Sequence, residues 1–522
     1  MIQSFEPLTP TAFLRRSARV YAERLAVVDG ESRWTYAELW ERARRLAGVL
    51  AETGLAPGDR VAVLGMNSEL LLTAHYGVPL AGGVLVALNV RLSEAELAAI
   101  LDHSGAELLL CDAELVALAE AARQAAGGSS IRVLDEEAVE KRLSEAEPLE
   151  VRTRDELGLL ALNYTSGTTG RPKGVMYHHR GAYLQALAMA FHARLQPGSV
   201  FLWVVPMFHC NGWCFTWGAT AAGVTHICQR RVDARAIWAA IADHGVTHFG
   251  AAPTVLTAVA EHPAATKRPG HTGIHVITGG APPSPTLLAR LAELGIEVTH
   301  AYGLTETFGP VMLCDWHPEW DALSDEERAR HKARQGVGNV IAESPRVIDE
   351  QGNDVPADGE TIGELVLRGN DLMLGYYRDA EATEAAATPD GWLRTGDIGV
   401  MHRDGYVELR DRTKDVIVSG GENITSVEVE RALVSHPAVL EAAVVAVPDD
   451  RWGERPGAWV TLKPGTDVTT DTLLEHVRQK IARFKVPRDV TIVSELPKTS
   501  TGKIQKYLLR EQAWAGRARR IG

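Results

Sequence analysis

A loop dense in glycine and hydroxyl side chains is the segment of this sequence best suited to chemistry. It follows the apolar run Leu160–Tyr164, which predicts a buried strand, and it closes near Lys173. Glycines let backbone N–H groups approach phosphate oxygens, hydroxyls donate further hydrogen bonds, and the lysine adds a positive charge. The spacing of a Walker A loop is absent, so an ordinary polar hairpin is the alternative to a phosphate-binding loop. The loop positions are Thr165, Ser166, Gly167, Thr168, Thr169, Gly170 and Lys173.

Four more segments combine glycines with polar side chains, and they follow the loop in the order Tyr302–Thr307, Gly391–Asp397, Asp411–Asn423 and Pro497–Lys503. Together with the loop they resemble the adenylate-forming superfamily, which comprises acyl-CoA synthetases, the adenylation domains of peptide synthetases and luciferases. The resemblance covers nearly the whole chain, and five motifs in one order are more specific than any single motif. Within the superfamily, Pro206–Trp213 and Val298–Gly303 look most like acyl-CoA synthetases that act on fatty or aryl acids.

The resemblance implies a reaction in two steps that uses ATP, Mg²⁺ and coenzyme A. A carboxylate and ATP give an acyl-adenylate and pyrophosphate, and the thiol of coenzyme A then displaces AMP. Because the charged α-phosphate repels the attacking carboxylate, catalysis consists largely of positioning and charge neutralisation. Mg²⁺ favours hard oxygen ligands and shares them with substrate phosphates. Glu306 matches the family's metal-associated carboxylate and Thr165 its partner hydroxyl, whereas a helix-capping or surface carboxylate is the alternative for Glu306.

The same resemblance assigns further positions to ATP. Asp397 matches the residue that accepts both ribose hydroxyls, with Arg412 assisting, and a plain turn residue is the alternative for Asp397. Lys503 matches the catalytic lysine that reaches the α-phosphate during adenylation, and a solvated lysine is its alternative. Small residues and an aromatic face suit flat adenine. The adenine slot is Gly279, Gly280, Ala281 and Tyr302, and the neighbouring ATP positions are His300, Ala301, Gly303 and Thr305.

The acyl group and coenzyme A are assigned by resemblance too. His209 and Trp213 match the mouth of the acyl pocket, where related enzymes use an aromatic gate, and His209 joins the catalytic candidates. A core tryptophan is the alternative for Trp213. Lys414 occupies the family's hinge position, and a rotation there would bring in the residues assigned to coenzyme A. Those residues are Gly420, Gly421 and Glu422.

The elements that must position these residues alternate between strand-like and helical patterns. This alternation predicts an α/β fold with a large N-terminal domain of layered α/β subdomains. A boundary near Asp411–Asp415 predicts a small α+β domain after it, and the resemblance implies that this C-terminal domain is mobile. The division is expected between residues 1–411 and 412–522. The apolar runs Val61–Leu64 and Val84–Leu88 predict buried parallel strands, and Leu108–Cys111 predicts a shorter apolar strand.

Three serine or threonine residues followed by glutamate predict capped helix starts. They are Thr35-x-x-Glu38, Ser93-x-x-Glu96 and Thr425-x-x-Glu428. Gly105 is the expected end of the second of these helices, because glycine readily adopts the left-handed conformation of a C-cap.

The composition excludes several classes of protein. The 522 residues are 45% apolar and 23% charged, which is typical of a globular chain and not of a disordered or collagenous one. The net charge of −13 gives no indication of nucleic acid or an anionic membrane as a partner. Five scattered cysteines fit a reducing compartment. No signal peptide, membrane-spanning run or terminal Ser-Lys-Leu is present, so a cytoplasmic location without stable membrane insertion is expected.

The sequence therefore predicts an AMP-forming acid–thiol ligase, that is, an acyl-CoA synthetase whose partners are a carboxylic acid, ATP and coenzyme A. A short- or medium-chain aliphatic acid is favoured, with medium chains first and a substituted propionate or a benzoate-like acid next. Loading of a carrier protein and a non-catalytic nucleotide sensor are the alternatives. The resemblance leaves a homodimer open.

Overall fold

The computed structural model describes residues 4–127, 130–165, 172–266, 273–281, 283–419, 422–449, 451–498 and 504–515. Within these ranges the strands are β1 (Leu25–Asp29), β2 (Ser32–Thr35), β3 (Arg60–Leu64), β4 (Val84–Ala87), β5 (Leu108–Cys111), β6 (Arg132–Asp135), β7 (Leu159–Thr165), β8 (Lys173–His178), β9 (Val200–Leu202), β10 (Thr225–Cys228), β11 (His248–Ala251), β12 (Ile274–Thr278), β13 (Ile296–Leu304), β14 (Gly309–Leu313), β15 (Val337–Gly338), β16 (Arg346–Ile348), β17 (Gly363–Leu367), β18 (Leu393–Met401), β19 (Val407–Arg412), β20 (Ile417–Ser419), β21 (Glu422–Ile424), β22 (Val439–Asp449), β23 (Gly453–Leu462) and β24 (Val490–Ile492).

The helices of the same described ranges are α1 (Thr11–Val20), α2 (Tyr36–Glu52), α3 (Glu69–Leu80), α4 (Glu94–Ser104), α5 (Val116–Ala125), α6 (Glu136–Glu145), α7 (His179–His192), the single turn α8 (Cys210–Trp213), α9 (Phe215–Ala221), α10 (Ala234–His244), α11 (Pro253–Glu261), α12 (Pro285–Glu293), α13 (Asp325–Lys332), α14 (Ala380–Ala385), α15 (Ser426–Val434), α16 (Thr470–Arg478) and α17 (Lys506–Ala513). Among the described residues, no helix combines the length and the apolar composition that a membrane crossing requires.

The chain packs as two compact units, and the predicted α/β class with a large N-terminal and a small C-terminal part is confirmed. Unit 1 comprises Met1–Ser344 and Leu367–Leu393, and unit 2 comprises Pro345–Val366 and Arg394–Gly522. Residues 345–366 and 394–411 thus pack with the C-terminal part. The domain division between residues 411 and 412 stays a prediction.

In the ranges that the structure describes, unit 1 is built on two sheets. One has the strand order β15-β14-β13-β12-β11-β9-β10-β1-β2 and the other β6-β5-β3-β4-β7-β8. Most neighbouring strands pair in parallel, whereas the pairs β1–β2, β7–β8, β13–β14 and β14–β15 are antiparallel. The chain therefore reverses direction just after β7 and again after β13, and both reversals carry predicted site residues.

Local sequence signals account for much of this unit. Thr35 and Ser93 each form the predicted capping box, and Gly105 ends α4 at a φ of 65°. The predicted strands β3, β4 and β5 are parallel and almost wholly buried. Each leucine or valine side chain buried there contributes about 1.5–3 kcal/mol of hydrophobic free energy.

The described residues of unit 2 form two sheets, with strand orders β16-β17-β18-β19 and β21-β20-β23-β22, and β24 joins β23. Helix α15 begins where the sequence predicts, but the capping box was a wrong prediction. Within the described part of unit 2, the Thr425 side chain makes no capping hydrogen bond. At the helix start the N–H of Ser426 donates to Oδ2 of Asp411 instead. Glu428 does not reach back to Thr425, because both of its carboxylate oxygens accept from Nζ of Lys485 at 2.7 and 2.9 Å.

Candidate active site

The hairpin β7–β8 delivers the first site residues. Thr165 ends β7 and pairs with Lys173, the first residue of β8, so both half-buried residues lie at the open end of the hairpin. The β8 residue Tyr177 donates its hydroxyl to the carbonyl of Thr305 at 2.6 Å, which ties the hairpin to the turn Thr305–Thr307. The predicted loop positions Ser166, Gly167, Thr168, Thr169 and Gly170 lie outside the described residues, and phosphate binding there stays a prediction.

A tyrosine that the sequence analysis missed joins Lys173 to Glu306. The Tyr376 hydroxyl donates to Oε1 of Glu306 at 2.7 Å, and Nζ of Lys173 lies 4.6 Å from the centre of the Tyr376 ring. Burial, followed by the Glu306 charge, raises the pKa of Tyr376, so the phenol stays protonated and remains the donor. Glu306 is thus half-buried and oriented by a hydrogen bond, and it does not cap a helix. No sequence motif marks Tyr376, which lies 70 residues from its partner.

The donor set around Glu306 suits a magnesium ion. Its second carboxylate oxygen and the Thr165 hydroxyl are hard ligands of the kind that Mg²⁺ prefers. Among the described residues, no group of three or more histidine, cysteine, aspartate or glutamate side chains is arranged to hold a metal by itself. A magnesium ion here would therefore take most of its ligands from substrate phosphates, as Mg²⁺ commonly does.

The predicted adenine slot follows a strand of the large sheet. Gly279, Gly280 and Ala281 come directly after β12, whose last residue Thr278 is paired in parallel with His300 of β13. The carboxyl ends of neighbouring parallel strands form the usual ligand crevice of such sheets. The structure therefore places the three small residues beside the start of Ala301–Tyr302, with Tyr302 half-buried and Ala301 buried.

Two of the residues predicted to bind ATP also have a role in the fold itself. A Cβ on Gly303 would lie 1.9 Å from the carbonyl oxygen of Gly309, so the antiparallel pair β13–β14 requires glycine there. The ring Nδ1 of His300 is hydrogen-bonded to the carbonyl of Arg334 at 2.9 Å, and His300 is buried. Contact of either residue with ATP stays a prediction.

A stretch of left-handed backbone follows His209 and contains Trp213, the two predicted acyl-pocket residues. All five residues from Cys210 to Cys214 have φ between 43° and 61°, and four of them are not glycine. A left-handed conformation costs about 1–2 kcal/mol for each such residue. Trp213 is only 9% exposed. Cβ atoms added to Gly250 and Gly279 would lie 3.1 and 3.5 Å from its indole ring, so the ring covers the carboxyl ends of β11 and β12.

The turn that carries His209 and Trp213 also reaches the metal-site candidates. The Cys210 thiol lies 3.6 Å from Oγ1 of Thr305, next to Glu306. Burial raises the pKa of Cys210 to about 12, so the side chain stays a neutral thiol. Within unit 1 the structure therefore brings together Thr165, Lys173, Glu306 and the turn next to His209 that contains Trp213. The roles of these residues stay predictions.

The ribose candidates form an ion pair in unit 2. Asp397 of β18 and Arg412 of β19 are direct antiparallel partners, and Nε of Arg412 lies 3.1 Å from Oδ1 of Asp397. Asp397 is 4% exposed, and its N–H donates to Oγ1 of Thr395 at 3.0 Å. Asp397 is therefore a positioned carboxylate rather than a free turn residue.

The remaining predicted residues of unit 2 are only partly described. Lys414 is exposed in the turn Thr413–Asp415, and Glu422 is exposed at the start of β21. Gly420, Gly421 and Lys503 lie outside the described residues, so their roles stay predictions. On either side of residues 499–503, Lys498 and Ile504 form an antiparallel bridge.

A largely buried lysine near the C-terminus was not foreseen. Nζ of Lys506 lies 2.7 Å from Oε1 of Glu430 and 2.6 Å from Oγ of Ser426. Desolvation lowers the pKa of Lys506, but the carboxylates of Glu430, Asp411 and Asp415 outweigh it and raise that pKa above its usual value. One turn later, Arg510 pairs with Asp415. Helix α17 is thereby tied to the segment that contains Arg412 and Lys414.

Comparison with known proteins gives matches along almost the entire chain. The sequence model of the AMP-binding enzyme family matches residues 14–377, and that of the AMP-binding enzyme C-terminal domain matches residues 428–503. An acetate–CoA ligase of Humulus lupulus is 42% identical, over 98% of this chain and 95% of its own length. A peroxisomal acetate/butyrate–CoA ligase of Arabidopsis thaliana is 43% identical with the same coverage. A peroxisomal benzoate–CoA ligase of Arabidopsis thaliana is 40% identical over 97% of this chain and 93% of its own.

Solved structures also resemble this chain over almost its entire length. ATP-bound MatB from Rhodopseudomonas palustris is 28% identical with a TM-score of 0.85, covering 97% of this chain and 99% of its own. The o-succinylbenzoate CoA synthetase of Bacillus subtilis, in complex with ATP and magnesium, is 28% identical with a TM-score of 0.83, covering 96% and 98% of the two chains. The resemblance inferred from the motifs is confirmed: this chain belongs to the family of AMP-binding enzymes, the adenylate-forming superfamily, and lies among its acid–thiol ligases.

Proposed function

We propose that this protein is an AMP-forming CoA ligase for a short-chain carboxylic acid. In the first step a carboxylate oxygen attacks the α-phosphorus of ATP and pyrophosphate leaves, which gives the acyl-adenylate. In the second step the thiol sulfur of coenzyme A, having lost its proton, attacks the acyl carbon and AMP leaves. The observation that carries the proposal is the grouping of Thr165, Lys173 and Glu306 at one end of unit 1, with Glu306 held by Tyr376.

The first step needs the phosphates to be held and their charge to be neutralised. Lys173 supplies a cation at the hairpin end, and Lys503 is proposed to supply the cation that approaches the α-phosphate. Glu306 and Thr165 would hold Mg²⁺, which when bound adds positive charge to the phosphate oxygens. Tyr376 keeps Glu306 in one orientation, because its hydroxyl donates to one carboxylate oxygen and leaves the other open to the ion.

The nucleoside part of ATP is assigned to a carboxylate and to a set of small residues. Asp397 offers two carboxylate oxygens, and two acceptors suit the pair of ribose hydroxyls. Arg412 fixes the direction of that carboxylate through its 3.1 Å contact. Gly279, Gly280 and Ala281 leave room for a flat base, and Tyr302 supplies a ring face.

The acyl group is proposed to be short, in the range of acetate to butyrate. Trp213 is almost buried and already covers the strand ends where an acyl chain would enter. This observation shifts the preference from the medium chains favoured by the sequence towards shorter ones. Two of the compared relatives are named for acetate or butyrate. A benzoate-like acid is the second candidate, because another relative is named for benzoate.

Coenzyme A, rather than a carrier protein, is the proposed acceptor. The chain spans at least 93% of the length of the CoA ligases with which it was compared. Glu422 is proposed to contact coenzyme A together with Gly420 and Gly421, after rotation at Lys414. The cytoplasm stays the predicted location, although two of these relatives are named as peroxisomal.

The test is acid-dependent turnover of purified protein with ATP, Mg²⁺ and coenzyme A. AMP and the acyl-CoA should appear in equal amounts with acetate, propionate or butyrate, and the Glu306→Gln variant should lose most of that activity. A panel that includes octanoate and benzoate decides the acyl class. If no acid gives AMP, the proposed function is wrong; if acyl-adenylate forms but coenzyme A does not accept the acyl group, the carrier-protein alternative replaces it.

A further inference from the structure

The turn Cys210–Cys214 needs an explanation that its own sequence does not supply. L-residues adopt the left-handed conformation singly and not in runs, because Cβ approaches the following carbonyl oxygen. Here five successive residues adopt it, and of these only Gly212 and, less readily, Asn211 are of a type that suits it. Such a backbone persists only where its surroundings over-determine it. The hydrogen bonds of Asn211, the second residue of the turn, hold the backbone in this conformation.

Asn211 and Asn163 form a reciprocal pair of buried amides. Nδ2 of Asn163 donates to Oδ1 of Asn211 at 2.6 Å, and the backbone N–H of Asn211 donates to Oδ1 of Asn163 at 3.2 Å. Both residues are at most 2% exposed. Since a buried amide left without partners is costly, this pair fixes the turn against strand β7.

The buried His75 is the third member of this group of hydrogen-bonded side chains. Nδ1 of His75 lies 2.7 Å from the carbonyl of Leu71, which makes Nδ1 the protonated nitrogen and Nε2 an acceptor. Nδ2 of Asn211 donates to this Nε2 at 3.0 Å. Burial lowers the pKa of His75 to about 4, so the ring remains a neutral acceptor at ordinary pH. The carbonyl of Asn211 accepts in turn from Oγ1 of Thr216 at 3.0 Å.

This set of hydrogen bonds connects two parts of the site. Asn163 lies two residues before Thr165 on β7, and Asn211 lies two residues before Trp213. The Trp213 ring has little freedom, because it packs on Gly250 and Gly279 and its Cα would be 3.1 Å from a Cβ on Gly309. Whatever holds the left-handed turn therefore determines where the indole lies.

We propose that Asn163 and Asn211 are positioning residues for acyl-chain selectivity, which act by locking the left-handed turn and so fixing Trp213. The proposal rests on the proposed CoA-ligase function. Neither amide is assigned contact with substrate; their effect passes through Trp213. Selectivity between acids should therefore change when the amide pair is broken, even though the indole itself is retained.

The experiment compares Asn163→Ala and Asn211→Gly with the unsubstituted protein, using acetate, butyrate, hexanoate and octanoate. Glycine at 211 tolerates the left-handed φ but removes the side-chain hydrogen bonds. The ratio of kcat/KM for butyrate to that for octanoate should fall about tenfold in both variants, a size typical of lost discrimination in an apolar pocket. The KM for ATP should change by less than about threefold, because the nucleotide contacts are retained.

A double variant of Trp213→Ala and Asn163→Ala tests whether the two residues act through the same side chain. Trp213→Ala alone should lower the same ratio, and adding Asn163→Ala to it should lower the ratio no further, since both changes act on one side chain. Leu101→Ala is the matched control, because it destabilises the core of unit 1 elsewhere. It should lower the Tm and leave the ratio unchanged.

Three results would overturn the proposal: an unchanged ratio in Asn163→Ala and Asn211→Gly, effects that add fully to those of Trp213→Ala, or a shift of the ratio in Leu101→Ala as well. If neither truncated variant accumulates, Asn163→Asp is measured instead. It keeps the shape but sets two oxygens against each other, and it too should lower the ratio. Failure of the proposed function is a separate outcome, because the unsubstituted protein would then release no AMP with any acid.

Discussion

The Tyr376 hydroxyl donates to the Glu306 carboxylate at 2.7 Å, although 70 residues separate the two in the chain. The Lys173 ammonium lies over the face of the same ring. A hydrogen bond to a charged group and a cation on an aromatic face both hold their partners in place. The tyrosine therefore links the cationic end of the hairpin β7–β8 to the carboxylate proposed to hold magnesium.

Tyr376→Phe should weaken the use of Mg·ATP. The ring and its contact with Lys173 remain, but Glu306 loses a donor that is worth about 1.5–3 kcal/mol for a charged acceptor. We expect kcat/KM for ATP to fall at least about tenfold, which corresponds to about 1.4 kcal/mol, and the magnesium concentration for half-maximal rate to rise. Steady-state kinetics at several magnesium concentrations measure both. Tyr377→Phe, at the neighbouring tyrosine, is the control; equal kinetics in the two variants would contradict the role of Tyr376.

Structural features that depend on residues close together in the sequence could be predicted. The capping boxes at Thr35 and Ser93 and the strand that ends at Thr165 follow from short-range patterns, and the structure has them. The box at Thr425 failed because Glu428 pairs with Lys485, 57 residues away. A local motif states what a side chain can do, and tertiary contacts decide what it does.

The unforeseen parts of the site are those created by long-range contacts. Tyr376 belongs to no motif. Its role arises only because the segment after β17, which carries Tyr376, meets the turn after β13, which carries Glu306. The Asn-Gly pair at residues 211 and 212 is typical of a turn with positive φ, but the sequence does not predict that Cys210, Trp213 and Cys214 share this conformation. Asn163, His75 and Asn211 come from three separate segments, and each alone reads as an ordinary polar residue.

The buried carboxyl group of Asp371 should make stability depend on pH. Its Oδ2 accepts from Nδ2 of Asn339 at 2.9 Å, yet burial dominates and raises the pKa of Asp371 to about 7. In the unfolded chain the pKa is about 3.9. The folded protein thus holds a proton that the unfolded chain releases, so this contribution is complete below about pH 4 and is lost as the pH rises towards 7.

Asp371→Asn tests this dependence, because an amide does not titrate in this range. Urea unfolding at pH 4.5, 5.5, 6.5 and 7.5 should show the variant gaining stability relative to the parent as the pH rises, with a slope of up to about 1.4 kcal/mol per pH unit below pH 7. Above that the difference should level off. A difference that stays constant across the series would show that Asp371 is ionised in the folded state.

Lys506→Met should destabilise unit 2. It leaves the carboxylates of Glu430, Asp411 and Asp415 without their common cation, and removal of one member of a buried ion pair costs about 3–5 kcal/mol. Thermal unfolding should show the loss, and the loss should shrink at lower pH, where these carboxylates take up protons. Lys480→Met, at an exposed lysine, is the matched control. Equal unfolding temperatures for the two variants would contradict a cohesive role for Lys506.

The last prediction separates the two half-reactions through Lys503 and Lys414. Lys503→Ala should cripple adenylation but largely spare thioester formation from supplied acyl-adenylate, because charge develops at the α-phosphate only in the first step. Lys414→Pro should do the reverse, since proline fixes φ at the proposed hinge and prevents the rotation that admits coenzyme A. Pyrophosphate release measures the first half-reaction, and acyl-CoA formation from the isolated adenylate measures the second. Equal loss in both half-reactions for Lys503→Ala would remove its assigned role, and a normal rate of thioester formation in Lys414→Pro would place the rotation elsewhere in the chain.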